Sequence, residues 1–297
     1  MTFPVLNDSL TVERSCELIS LHLLSLTGNR DIAQMGSFYH FLDSTGIMLA
    51  QSLANRQKSS AALDSIIRIV YKTWDIGFDT RDMTLEALLP HLVYATKKGA
   101  CLGVSLIILM LAERIGCPVY GVMLPGHFFC RFDDGSVRIN IEPNMAGFNH
   151  TDDYYRTRYP VASTPWYDFR DLTKQETIGI LCYNAGTICL GDSKNDAAVF
   201  YCRQAMRRLK SFPEAEGNCA LAYAQMGKID SSLMIFKGLF SAHPGFVNCA
   251  ANYGAVLMQA GKIKEAEEVF RKGLEYFPGD TVLLKGIAKA QKFLKVP

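Results

Sequence analysis

Three residues between positions 98 and 143 have the types and order that a thiol nucleophile requires. Cys101 follows Gly99-Ala100 and opens a long apolar run. His127 follows Pro125-Gly126 and precedes Phe128-Phe129, and Glu142 stands just ahead of Pro143 with Asn140 two positions before it. A thiol attacks as the thiolate, so a base must take its proton and a third group must orient that base. A cysteine at a helix start gains from free N–H groups and the positive end of the helix dipole, which would also hold an oxyanion. The acid follows the histidine by 15 residues (127 to 142), across one hairpin. That spacing lets Glu142 or Asn140 face His127 from an antiparallel neighbour, and strand alternation puts both candidates on one face. The chemistry implied is acyl transfer. A Cys101 thiolate would attack an amide or ester carbonyl, His127 would protonate the leaving group, and water or an amine would resolve the thioester.

The elements that must position these residues follow from periodicity and punctuation. Apolar spacing predicts helices over 11–26, with Thr11 as N-cap and Gly28 as stop, then over 31–54 and 61–74. Residues 75–81 read as a loop and 84–95 as a short helix kinked at Pro90. A helix is predicted over 102–115 with Gly116 as its C-cap, then strands over 119–124, 128–132 and 136–141. Asp133-Asp134-Gly135 suits the hairpin between the last two strands. Residues 147–166 lack periodicity and are expected to be an irregular connection.

The totals exclude several classes of function. The chain has 297 residues, 49% hydrophobic and 20% charged, with a formal net charge of +2. That is enough for a sizeable core and argues against a general nucleic-acid or membrane-surface role. The run Arg203–Lys210 has helical spacing and reads as a solvated face. Nine cysteines, at 16, 101, 117, 130, 182, 189, 202, 219 and 249, form no CxxC pair and read as reduced thiols in apolar settings. No signal peptide is evident, and the longest apolar run, 104–112, is about half of what a bilayer span needs, so a cytoplasmic protein is expected. No metal-ligand spacing, phosphate loop or dinucleotide fingerprint occurs, so neither cofactor nor metal is expected. His22 and His40 read as core or rim residues of helices, and His150 with Asp152-Asp153 as a solvated loop.

The C-terminal third contains a repeat. Ala224-Gln225-Met226-Gly227-Lys228-Ile229-Asp230 matches Met258-Gln259-Ala260-Gly261-Lys262-Ile263-Lys264, and His243-Pro244-Gly245 matches Phe277-Pro278-Gly279, both offset by 34 residues (224 to 258, 243 to 277). A looser copy carries Ala185, Leu190-Gly191-Asp192 and Phe212-Pro213. A period of 34 is that of the helix–turn–helix tetratricopeptide unit, and about three units are needed for a stable stack.

The segments GACLGVSLIILMLAERIGCPVYGVMLPGHFFCRF and INIEPNMAG resemble the transglutaminase-like core of SirB-type (SirB-one) bacterial proteins. In those a G-x-C-x-x-x-S-L helix, an L-P-G-H-F strand and an I-D-P turn occur in this order, ahead of tetratricopeptide-like helices. The resemblance covers about residues 60–297. It implies an α+β fold: a papain/transglutaminase-like core of N-terminal helices and a small antiparallel sheet, followed by an all-α repeat domain. The expected domains are an N-terminal helical region over 1–75, the transglutaminase-like core over 76–170 and the repeats over 171–297. Carried onto this chain, Cys101 is the nucleophile, His127 the general base and acid, and Glu142 or Asn140 the orienting group. The family has aspartate where Glu142 stands, and Asn144-Met145-Ala146-Gly147 departs from its glycine turn. The function implied is a regulatory or adaptor protein that binds a protein or peptide through its repeats, with a vestigial Cys–His–acid site. The alternative is an active protease, amidase or transglutaminase.

Overall fold

The computed structural model describes residues 2–28, 32–80, 84–159, 167–246 and 248–295. The chain divides into two compact units, residues 1–188 and 189–297. In the first, α1 (Val12–Thr27) is capped as its sequence predicts: the Thr11 side chain accepts from the Arg14 N–H at 3.0 Å, and Gly28 closes it in the left-handed region. Then come α2 (Ile32–Leu53) and α3 (Ser60–Arg68). The third predicted helix does not run evenly to Trp74: its last turn, Ile69–Thr73, widens to a π-helix, with the Trp74 N–H donating to the Ile69 carbonyl.

The segment predicted as a loop contains a two-residue strand, β1 (Gly77–Phe78), and residues 81–83 lie outside the described ones. The predicted kinked helix is two: α4 (Leu85–Leu88), capped by Thr84, and α5 (Pro90–Thr96), separated at Leu89. Proline supplies no N–H to continue a helix but suits the first turn of a new one, so the break falls there. β2 (Lys98–Gly99) pairs parallel with β1 and delivers the chain to α6 (Cys101–Ile115).

Helix α6 is the hub of this unit. Every residue from Leu102 to Ala112 is buried, because the helix packs against α1 to α5 on several sides and against the main sheet on another. A helix that is apolar all round is stable only when enclosed in this way. The sheet is an antiparallel meander, β3 (Val119–Leu124), β4 (His127–Asp133) and β5 (Arg138–Ile141). Pro125-Gly126 makes the first turn, with Leu124 paired to His127 and Gly126 at φ +67°, the proline-then-left-handed order of a type II turn. β4 is buried along its length apart from Asp133, and alternation splits it. Cys130 turns to α6, where its thiol reaches the Ser105 carbonyl at 3.6 Å, while His127, Phe129 and Arg131 share the opposite face.

The expectation of an irregular stretch over 147–166 is corrected by α7 (Asp152–Arg158); residues 160–166 lie outside the described ones. Thr151 caps this helix, Asp152 and Asp153 occupy its first turn, and Arg156 and Arg158 its last, the charge order that its dipole favours. Tyr155 from α7 joins Val122, Leu124, Phe129 and Phe169 in an apolar cluster on the second face of the sheet.

Helix α8 (Lys174–Gly191) runs to the division between the units. The second unit comprises α9 (Asn195–Arg208), α10 (Pro213–Gln225), α11 (Ile229–Ala242), α12 (Cys249–Gln259), α13 (Ile263–Tyr276) and α14 (Thr281–Leu294), each packed on the next. The matched turns at Gly227 and Gly261 adopt the same backbone, with φ +73° and +76°. Phe236 and Phe270, one period apart (236 to 270), are both buried. Gly254 makes room for Phe270: a Cβ there would lie 2.2 Å from its ring. No helix among the described residues is long and apolar enough to cross a membrane.

Candidate active site

Cys101 is the first residue of α6, after Ala100, whose backbone is extended and whose side chain offers no cap. The first turn of α6 therefore points its N–H groups past the thiol with no side chain competing for them. Two close approaches hold this end in place. The Ala100 N–H donates to the Ala87 carbonyl at 2.9 Å, and a Cβ on Gly103 would lie 2.1 Å from that same oxygen. Gly103 is thus the residue that lets the backbone of α4 touch the first turn of α6. Cys101 is half-buried, whereas the other eight cysteines are buried. Burial pushes the thiols of Cys117, Cys130, Cys189 and Cys249 up to about 12, where little nucleophilic thiolate exists near neutrality.

His127 and Glu142 meet at the end of the sheet where β4 begins and β5 ends. The His127 Nε2 lies 2.9 Å from the Glu142 Oε2, and the two side chains are 2% and 4% exposed. The Cys101 thiol stands near enough to the imidazole to favour its charged form, while Nε2 is the nitrogen that the carboxylate engages. Burial opposes a charge on this ring, but the neighbouring Cys101 thiol and the Glu142 carboxylate outweigh it and raise the histidine to about 9. For Glu142, burial again works against ionisation. It is overcome by His127, by the Asn144 N–H donated to Oε1 at 3.0 Å and by the nearby Tyr155 hydroxyl, so the carboxyl is held below its ordinary value. The Tyr155 hydroxyl approaches that carboxylate without completing a hydrogen bond, and burial pushes its own pKa far up.

Of the two orienting candidates, Glu142 bonds the imidazole and Asn140 does not. Asn140 is paired with Arg131 in the β4–β5 register, two residues further from the His127 end. Its Oδ1 accepts from the Arg131 Nε at 2.8 Å, and its Nδ2 donates to the His150 carbonyl and to the Asp152 Oδ1, each at 2.8 Å. Glu142 lies beyond the end of β5, one step closer to the histidine, on a turn closed by its carbonyl accepting the Gly147 N–H at 2.9 Å. The π-helical turn contributes here too, since the Tyr71 hydroxyl donates to the Pro143 carbonyl at 3.4 Å.

Sequence reasoning passed over the residues that support this face. Arg131, its side chain 2% exposed, donates to Asp152 at 3.2 Å, to Asp171 at 3.1 Å and to the Phe169 carbonyl at 3.3 Å. One arginine inside the apolar run HFFCRF was the available signal, since a buried charge must be paired. Tyr155 and Tyr159, four apart and preceded by a Thr-Asp-Asp helix start, were the signal for α7. His150 stacks on Tyr154 at 3.7 Å between centroids, and among the described residues no cluster of three or more His, Cys, Asp or Glu is placed to hold a metal ion. In the repeat unit, a groove of about 760 Å³ is lined by Lys237, Tyr253, Glu265, Glu268, Arg271 and Tyr276, among others.

Residues 37–158, which contain Cys101, His127 and Glu142, match the family model described as the Transglutaminase-like superfamily. A curated relative is the small glutamine-rich tetratricopeptide repeat-containing protein 2 of Mycosarcoma maydis, 34% identical over 77 residues, which are 26% of this chain and 22% of that protein. The chain therefore spans about a fifth of that relative's length. Among solved structures, the first tetratricopeptide domain of human RPAP3 is similar at 18% identity and a TM-score of 0.37, covering 39% of this chain and 91% of that one. The Sgt2 tetratricopeptide domain of Aspergillus fumigatus gives 16% identity and 0.37 over 39% and 78%, and menin 12% and 0.48 over 90% and 66%. The chain carries a transglutaminase-like domain over residues 37–158 and has tetratricopeptide-like neighbours in both sequence and structure.

Proposed function

We propose that the protein is a SirB-type, cysteine-dependent acyl-transfer protein, in which Cys101 is the nucleophile, His127 the base and acid, and Glu142 the orienting group. The observation that carries this reading is a buried imidazole bonded to the Glu142 carboxylate at 2.9 Å, with the Cys101 thiol at the first turn of α6 near enough to favour its charge. A ring that keeps its proton to about pH 9 serves as the positive half of a thiolate–imidazolium pair and then as the acid that protonates a leaving amine. Backbone N–H groups of the first α6 turn would receive the developing oxyanion. The acyl donor is a protein or peptide, docked through the mixed-charge groove of the repeat unit, and the setting is cytoplasmic.

The test is the rate of Cys101 alkylation by iodoacetamide as a function of pH. Faster labelling than at the eight buried thiols would reflect access alone, so the profile decides. Wild type should react at a nearly constant rate between about pH 6 and 8, while His127→Ala should rise about tenfold per pH unit, as an ordinary thiol does. A wild-type profile as steep as that of His127→Ala would sink the reading.

A second reading, an adaptor that has kept the fold and lost the turnover, draws on the enclosure of His127 and Glu142, both nearly inaccessible to a substrate. It predicts that Cys101→Ala changes neither partner binding nor any cellular effect of the protein.

A further inference from the structure

The Nε2 of His127 is held by Glu142 at 2.9 Å, and a bond at a ring nitrogen leaves the faces of the ring to be filled. Tyr159 fills one of them. Its ring lies 4.5 Å from the imidazole between centroids, with 7° between the planes. Tyr155 and Phe129 continue the stack, 4.0 Å apart and 10° from parallel, each 6.2 Å from the histidine.

Helix α7, which carries Tyr155 and ends just before Tyr159, is anchored independently of this stack. The Asp152 carboxylate at the start of α7 accepts from the Arg131 guanidinium at 3.2 Å and from the Asn140 amide at 2.8 Å, so β4 and β5 both hold the helix. The groups facing the imidazole are Cys101 from α6, Glu142 from the turn after β5, Tyr155 from α7 and Tyr159 just past its end. Arg158 stands behind Tyr159, its Nε 3.4 Å from the phenol oxygen. An electron-rich ring lying flat against an imidazole attracts it more strongly when it is protonated.

We infer that Tyr159 is a positioning residue for the site, covering the imidazole so that its Nε2 stays on the Glu142 carboxylate and the ring stays turned toward the start of α6. The inference rests on the acyl-transfer reading only for its kinetic readout. Tyr159→Leu keeps bulk and removes the aromatic face; Tyr159→Phe keeps the face and removes the hydroxyl with its Arg158 contact.

The experiment follows the His127 titration by NMR in the full chain, alongside Cys101 alkylation at pH 6. Tyr159→Leu should lower the His127 midpoint by about half a pH unit and slow alkylation roughly three- to tenfold, while Tyr159→Phe stays close to wild type in both. An unmoved midpoint in Tyr159→Leu overturns the inference, as does a fall in Tyr159→Phe equal to that in Tyr159→Leu. Should Tyr159→Leu fail to fold, Tyr159→Trp answers instead: a midpoint at or above wild type supports the role, and one below it overturns it. A midpoint that moves with Tyr159→Leu in a protein whose Cys101 is not activated supports this inference and removes the acyl-transfer reading. An activated Cys101 with an unmoved midpoint removes this inference alone.

Discussion

Around β4 the first unit buries His127, Arg131, Asn140 and Glu142, each 5% exposed or less, whereas the buried polar residues described in the repeat unit are Arg208 and Ser232. The interior of the repeats is otherwise apolar, with Phe236 and Phe270 packed among alanines and glycines. The two regions reach a unique structure by different means. The sheet face depends on matching donors with acceptors, and a lost partner strands a buried charge. The repeats depend on shape, where similar volumes substitute for one another at small cost.

The sharpest way to break this contrast is to substitute one residue in each. Arg131→Met leaves Asp152, Asp171 and Asn140 without their shared donor and should cost about 3–5 kcal/mol in urea unfolding. Phe270→Leu, a change at an equally buried site, should cost under about 1.5 kcal/mol. Equal losses would show that the repeat interior is as exacting as the sheet face.

A middle-sized effect is expected at Gly103, where the close approach is to backbone and not to a movable side chain. Gly103→Ala should cost about 1–3 kcal/mol, and by shifting the first turn of α6 it should also slow Cys101 alkylation at pH 6. Loss of stability with an unchanged alkylation rate would detach this contact from the site.

A further effect is expected in pH dependence. The folded value of His127 is raised, so its contribution to stability is fully present below its unfolded value near 6.5 and is lost as the pH climbs through about 9. The folded value of Glu142 is lowered, so its contribution is present above 4.5 and is lost on acidification through its depressed folded value. Glu142→Gln should flatten the decline in stability between pH 6.5 and 9, as read from urea midpoints. A decline of undiminished slope in that variant would assign it to other groups.

Much of the framework was legible in sequence because it depends on local rules. Thr11 and Gly28 bound α1, Pro125-Gly126 set the first hairpin, and the 34-residue offset located the matched turns. The choice between Glu142 and Asn140 was not legible, since alternation places them on one face and only the register, pairing Asn140 with Arg131, separates them. Helix α7 was hidden because seven residues are too few to show a period, and its stability comes from Arg131 and the aromatic cluster. The π-helical turn was hidden for a related reason. A single residue's change in hydrogen-bond span leaves the apolar spacing of 61–74 almost unaltered.

The repeated placement of Phe236 and Phe270, thirty-four positions apart (236 to 270), makes the array a ladder with interchangeable rungs. A cassette of that length spliced at the Gly227 or Gly261 turn would meet on either side the neighbour it is shaped for. The stack can therefore be lengthened by whole modules, each new rung packed as the ones already there.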